Sequence, residues 1–351
     1  MALDQRDKRA GLRLERIKAS PHVHEGRFHN LANVAPDLKG LAPPLAAEFL
    51  FKGAQRAPRT PLPVHDPRPL WQKPPESGLR VTWLGHSTLW IEVDGIRILT
   101  DPVFGERASP FSFAGPKRFH PVPTPISGLP PIDVLLLSHN HYDHLCQPSI
   151  VELAQRPKHV VTALGVARHL EAYGVPPDRI HELDWHEHVA LPAVRFTATP
   201  AQHFSGRGMR DRNATLWASW VIETEHHKLF FSGDTGLFPE LADIGREHGP
   251  FDLTMLEIGA YHPAWGTIHL GPDNALLAHE MLRGTKLLPI HWGTFDLALH
   301  AWDAPAEELV RVARTRNAKL LLPRLGQPLE PSRDEEPTPW WREVTQRTRT
   351  P

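Results

Sequence analysis

The chain has 351 residues, and its 39 lysines and arginines against 40 aspartates and glutamates leave a formal charge of −1. That balance excludes a broad basic face for wrapping nucleic acid phosphates, and the length is ample for one large domain or two ordinary ones. Hydrophobic residues are 40% and charged residues 23% of the chain, no run approaches the roughly 18 apolar residues of a membrane-spanning helix, and the single cysteine, Cys146, excludes an internal disulfide framework and fits a reducing, cytoplasmic setting.

The N-terminus is charged with no apolar stretch after it, so no signal peptide is expected. Residues 1–78 read as an extension that wraps the main body. They carry scattered basic residues, one short apolar helix near 43–54, and a proline-rich stretch from 57 to 75. Strands begin at 79. The segments 80–84, 89–93 and 96–100 are strand-like, the last two joined by Asp94-Gly95, a strong two-residue hairpin signal. Residues 133–137 form a short continuous apolar run, as expected of a strand covered on both faces. Helices are expected over 148–155 and 164–173, the second stopped by Gly174 and Pro176. Further strand material falls in 189–199, then a hairpin over 217–224 and 228–231. A strand at 252–258, a helix at 273–283, a strand at 286–290, a helix at 305–315 and a strand at 319–322 complete a body ending near 330. The tail, 331–351, reads as a charged, proline-rich surface extension. Strands and helices recur in mixed order, which predicts an α+β fold of sheets layered with helices.

The 23 histidines require an explanation. The segment Ser138-His139-Asn140-His141-Tyr142-Asp143-His144 sits directly after the buried strand 133–137, and three imidazoles and a carboxylate on one strand-end loop can converge on a cation. Four ligands from one loop cannot complete two sites. His203, Asp234 and His291 each follow an apolar strand, where a layered α/β sheet presents its site, and supply the remainder.

With these residues in place the chain resembles the metallo-β-lactamase superfamily, whose ligand set runs H-x-H-x-D-H, His, Asp, His. Within it the chain is most similar to N-acyl-phosphatidylethanolamine-hydrolysing phospholipase D and its bacterial relatives, through strings such as Thr82-Trp83-Leu84-Gly85-His86-Ser87-Thr88, Gly115-Pro116-Lys117-Arg118-Phe119 and Ile258-Gly259-Ala260-Tyr261. Arg27-Phe28-His29-Asn30 extends the likeness into the N-terminal region. The resemblance implies an αββα sandwich, two mixed β-sheets with helices on the outer faces and metals at one edge. It implies two Zn²⁺ per chain, with Mn or Fe as alternatives. His139, His141 and His203 would hold one, Asp143, His144 and His291 the other, and Asp234 would bridge. That branch has an acidic residue where this chain has Cys146.

Two cations about 3.5–4 Å apart can hold a hydroxide and lower the pKa of its parent water. No Gly-x-Ser-x-Gly nucleophile motif is present. Asp143 or Asp234 would position the hydroxide proton, and His269, which matches a histidine of the phospholipase branch, would donate a hydrogen bond to substrate. Asp101 is the expected partner of a ligating imidazole, and His86 reads as a buried structural histidine. Lys117, Arg207 and Arg210 are candidates to meet a phosphate head group. His186, His188, His226 and His227 read as surface residues. The expected activity is hydrolysis of a phosphodiester of N-acyl-phosphatidylethanolamine type. The alternatives are a lactonase or ester hydrolase and, from another class, a non-catalytic metal-binding protein. The partners expected are a phospholipid or small phosphodiester, peripheral membrane contact with residues 45–51 lining an acyl-chain groove, and a second copy in a homodimer, without nucleic acid.

Overall fold

In a computed structural model, residues 2–32, 55–208, 210–333 and 337–347 are described. The helix expected over 43–54, and with it the groove expected of 45–51, lies outside the described residues.

The strand-forming segments are rich in Val, Ile, Leu, Trp and Phe, residues that fit a pleated surface buried on one or both faces. They assemble into two mixed sheets. Ahead of them lie α1 (Ala2–Ala19), the short ribbon β1 (Val23–His24) and β2 (Arg27–Phe28), and α2 (Arg68–Trp71). The first sheet takes β3 (Leu79–Gly85), β4 (Thr88–Val93), β5 (Ile96–Thr100), β6 (Val134–Leu137), β7 (His159–Ala163) and β8 (Ile180–Leu183), with α3 (Gln147–Leu153) and α4 (Ala167–Ala172) as crossovers. The second takes β9 (His188–Leu191), β10 (Val194–Thr199), β11 (Ser219–Glu223), β12 (Lys228–Phe231), β13 (Phe251–Glu257) and β14 (Gly284–Ile290). Helices α5 (Leu241–Glu247) and α6 (Gly271–Met281) connect its parallel strands. After α7 (Ala304–Arg316) the chain returns as β15 (Pro328–Leu329) to edge the first sheet, and α8 (Trp341–Arg347) follows.

Sheet order is β15-β3-β4-β5-β6-β7-β8 in one layer and β14-β13-β12-β11-β10-β9 in the other. Pairing is parallel from β5 to β8 and from β12 to β14, and antiparallel elsewhere. This is the αββα sandwich. Asp94 and Gly95 both take positive φ, 46° and 81°, as the tight hairpin turn requires. Side chains of both sheets form one continuous buried cluster that includes Trp90, Leu135, Phe196, Trp220 and Phe230. Each such side chain contributes about 1.5–3 kcal/mol relative to exposure. The functional consequence lies at one edge, where the C-terminal ends of β5, β6, β12, β13 and β14 come together.

Three expectations are corrected. The basic N-terminal stretch is helical, and it docks through Arg13. That guanidinium pairs with Glu171 and, at 2.6 Å, with Glu182, whose other oxygen accepts the Gly165 and Ala167 N–H groups at the start of α4. The segment 319–322 is not a strand but makes a single parallel bridge, Leu287 with Leu320. The C-terminal tail is not a mere surface extension, because Trp340 and Trp341 are buried and pack on Trp292 with ring centroids 5.9 and 5.2 Å away.

Candidate metal centre

The buried run of β6 ends at Leu137, and the loop after it is drawn into a tight turn by Leu145 N–H donating to His141 O at 2.8 Å. The turn sends its four candidate ligands to two sides. His139, His141, His203 and Asp234 form one group, and His86, Asp143, His144 and His291 another, with the donor atoms in each within 4.8 Å of one another. In the first, His141 Nδ1 lies 2.8 Å from His139 Nε2 and 3.2 Å from His203 Nε2. In the second, Asp143 Oδ2 lies 2.9 Å from His86 Nε2, 3.5 Å from His291 Nε2 and 3.6 Å from His144 Nε2.

Asp234 belongs to both. Its Oδ2 is 3.6 Å from His203 Nε2 and 3.9 Å from His139 Nε2, while Oδ1 is 3.1 Å from His144 Nε2 and 3.2 Å from His291 Nε2. Yet Asp234 Oδ1, His144 Nε2 and both ring nitrogens of His291 are buried without a hydrogen-bond partner among the described residues. Buried polar atoms left unpaired cost free energy unless something satisfies them. A cation at each group would do so, and imidazole with carboxylate is the donor set that suits zinc, manganese or iron.

The electrostatics agree. Burial, reinforced by neighbouring imidazoles, holds His139 well below the ordinary histidine range. Burial likewise holds His203 well below it and His141 at about 4, despite nearby carboxylates, so all three are neutral and available as ligands. Burial would depress His144 and His291 too, but the carboxylates outweigh it. Asp234, Asp143 and Asp101 hold His144 well above its usual value, and Asp234, Asp143 and Glu257 push His291 up to about 10. The fixed negative charge at the centre calls for positive charge there.

Two of the imidazoles, His144 and His203, are oriented from behind. Asp101, wholly buried after β5, accepts from Ser138 N–H at 2.8 Å, from Ser138 Oγ at 2.6 Å and from His144 Nδ1 at 2.7 Å. His203 Nδ1–H donates to Ile268 O at 3.0 Å. The outward proton leaves the other ring nitrogen to face the centre. The backbone is bent to the same end, since His86, Asp101 and His291 take φ of 54°, 30° and 64°, conformations that L-residues seldom adopt and that concentrate at functional sites.

Three groups escape the sequence reading. His86 is buried as expected, but it is not merely structural, because it faces Asp143 within the second group. Glu257, wholly buried at the end of β13, accepts from Thr235 N–H at 2.9 Å and lies 2.8 Å from His269 Nδ1. That contact makes Glu257 and His269 a hydrogen-bonded dyad, within a third donor group shared with Asp234 and His291. Its carboxylate outweighs burial to raise His269 above the ordinary histidine value. Asn30 grips the backbone of His203, donating to its carbonyl at 2.8 Å and accepting its N–H at 3.0 Å. The signal for Glu257 was present, an acid closing an apolar strand just as Asp234 follows β12.

The three candidate head-group cations have different surroundings. Arg207 Nη1 donates to the carbonyls of Asn140 and Leu145 at 2.7 and 2.8 Å, and its guanidinium lies 3.9 Å over the Tyr142 ring. It clamps the ligand loop. Lys117 pairs with Glu106 at 2.8 Å on an exposed loop, and Arg210 is exposed beside Arg27. His186, His188 and His226 are exposed, whereas His227 is half-buried with Nδ1 3.2 Å from Asp94 Oδ1. Cys146 packs with Val103 and Phe295 beside the site.

A sequence family described as a β-lactamase superfamily domain matches residues 96–292. Together with the double-sheet fold and its edge site, this shows that the chain belongs to the metallo-β-lactamase superfamily, and two donor groups sharing one carboxylate in that fold are a candidate di-metal hydrolase centre. Among its relatives is an uncharacterised protein of Mycobacterium tuberculosis, 41% identical over 331 residues that cover 92% of this chain and 88% of the relative. Another is the N-acyl-phosphatidylethanolamine-hydrolyzing phospholipase D 1 of Caenorhabditis elegans, 38% identical over 234 residues, 63% of this chain and 66% of the relative. Igni18, a metallo hydrolase of Ignicoccus hospitalis, shares the fold with a TM-score of 0.55 at 24% identity, covering 72% of this chain and 97% of its own.

Proposed function

We propose that this chain is a di-zinc phosphodiesterase of phospholipase D type, acting in the cytoplasm or at a membrane surface on phospholipids resembling N-acyl-phosphatidylethanolamine. The observation that carries the di-metal part is Asp234, whose two oxygens each face a separate histidine group. The substrate class draws support from the nematode relative's name. His139, His141, His203 and Asp234 would hold one cation, and Asp143, His144, His291 and Asp234 the other, with His86 bracing Asp143. When bound, such a pair supplies an activated water and Lewis-acid polarisation of the attacked group. The protein's own part is orientation. Asp101 and the Ile268 carbonyl fix imidazole tautomers, and Arg207 ties down the ligand loop. His269, held by Glu257, stands beside the centre to hold a proton toward an oxygen that gains charge.

A second reading, hydrolysis of a lactone or other neutral ester, gains from the same geometry. The guanidinium of Arg207 is committed to main-chain carbonyls and Lys117 pairs with Glu106, so neither provides the clamp that an anionic substrate favours. The discriminating experiment is metal analysis followed by turnover of bis(p-nitrophenyl) phosphate, simple lactones and N-acylated phospholipids with zinc or manganese. We expect phosphodiester cleavage faster than lactone opening. Rapid lactone opening with no phosphodiester cleavage under either metal overturns the first reading in favour of the second.

A further inference from the structure

The loop between β5 and β6 carries a feature that neither the fold nor the metal centre uses. Phe111 is 56% and Phe113 80% exposed, with ring centroids 5.5 Å apart, so they form one apolar patch. Such a pair displayed to water marks an interaction site. The display is built into the backbone. The loop is closed at its base by an antiparallel bridge between Arg107 and Lys117, with Arg118 N–H donating to Glu106 O at 2.9 Å and Ala108 N–H to Pro116 O at 3.1 Å. Across the loop, Arg107 donates to Ser112 O at 3.2 Å and Gly115 O at 2.6 Å. Gly115, at φ 100°, lies so close to Ser109 that a Cβ there would clash.

We propose that the tip of this loop is a lipid-contact element that seats the protein on an anionic bilayer surface. It deepens the lipid reading above and rests on that reading for the nature of the substrate. The charges around the aromatics suit such a surface, because Arg107 and Lys117 flank the tip against one carboxylate, Glu106. Aromatic side chains at the head-group level with cations beside them are what interfacial contact selects. The position also fits. A cavity of about 630 Å³ opens at the foot of the loop, lined by Arg107, Lys117, Phe119 and Asp296 among others. Phe119 and Asp296 also line the cleft that reaches His291. The base of the loop hangs on the same segment as the metal centre, since Phe119 N–H donates to Thr294 O at 2.8 Å and Thr294 Oγ1 accepts the His86 N–H at 2.7 Å. A loop seated in the head groups therefore brings the mouth of the centre to the interface.

The test uses the full metal-loaded chain and co-sedimentation with vesicles of phosphatidylcholine, alone or mixed with phosphatidylglycerol. Binding is expected to the mixed vesicles and to weaken with salt. The double variant Phe111→Ser, Phe113→Ser should lower that binding by about tenfold or more, with unchanged metal content, thermal melting and turnover of bis(p-nitrophenyl) phosphate. Absence of wild-type binding, or equal binding by the double variant, overturns the proposal. So does a double variant that keeps vesicle binding but loses self-association in sedimentation velocity, which would assign the patch to a second copy of the chain. Vesicle binding without phosphodiester turnover would leave the lipid contact standing and remove only the catalytic reading.

Discussion

Replacing Asp101 separates its structural role from its electrostatic role at the metal centre. The carboxylate is wholly buried and accepts three hydrogen bonds, from Ser138 N–H, Ser138 Oγ and His144 Nδ1. Asp101→Ala removes every acceptor. Ser138 Oγ can turn to His139 Nδ1, already 2.9 Å away, which leaves two buried donors unpaired. At about 1–3 kcal/mol for each such donor, plus roughly 1 kcal/mol for an alanine forced into φ 30°, the loss should be about 3–7 kcal/mol. Asp101→Asn behaves differently. An asparagine tolerates the left-handed backbone and can still accept the Ser138 N–H, but its amide NH₂ then faces His144 Nδ1. His144 must accept there, which moves its proton to Nε2, the nitrogen that looks toward Asp234. The Asn variant should fold, with one metal site weakened by about 10–100-fold. Urea unfolding in the presence of chelator measures the first effect, and chelator competition with zinc measures the second. An Ala variant within about 1 kcal/mol of wild type, or an Asn variant with both metal affinities intact, would refute the reasoning.

Asp234→Asn should weaken both metal sites and His291→Ala mainly one, so elemental analysis should fall from about two equivalents toward none in the first and toward about one in the second. Arg207→Ala loses two charge-assisted hydrogen bonds to the ligand loop; zinc titration calorimetry should show affinity reduced by about tenfold or more. His269→Ala should lower turnover while elemental analysis finds the metal retained, because its Nδ1 is engaged by Glu257. Away from the centre, Arg80 and Glu92 form a buried pair at 2.7 Å, and Glu92→Ala should cost about 3–5 kcal/mol in urea unfolding by stranding the guanidinium.

The parts of the molecule legible in the sequence are those whose signal is local. His139 to His144 lie within six residues behind an apolar run, and Asp94-Gly95 names its own turn, so the loop and the hairpin are both read directly. His203, Asp234 and His291 are recognisable because each closes a strand. What escapes depends on pairs distant in the chain. Helix α1 keeps Leu12 and Leu14 exposed, packs Ile17 against the core, and is secured by Arg13 reaching Glu171 and Glu182. Asn30 matters because it meets the backbone of His203, 173 residues away, and accepts from the Trp217 indole at 3.2 Å. Arg207 looks like a cation for an anionic ligand until the carbonyls of Asn140 and Leu145 are found at its tip.

The tryptophans at the C-terminal end bear on the order in which the molecule can be completed. Trp292 directly follows His291, stacks on Trp83 with centroids 5.2 Å apart, and is covered on other sides by Trp340 and Trp341. During synthesis from the N-terminus, the loop of residues 138–144 leaves the ribosome long before His291, and the two tryptophans that wall in Trp292 follow later still. At that stage the chain holds the histidines of the first group but not the last imidazole of the second, nor the tryptophans that cover Trp292. The His291 side of the centre thus depends on the last part of the chain, whereas His139, His141, His203 and Asp234 all precede it.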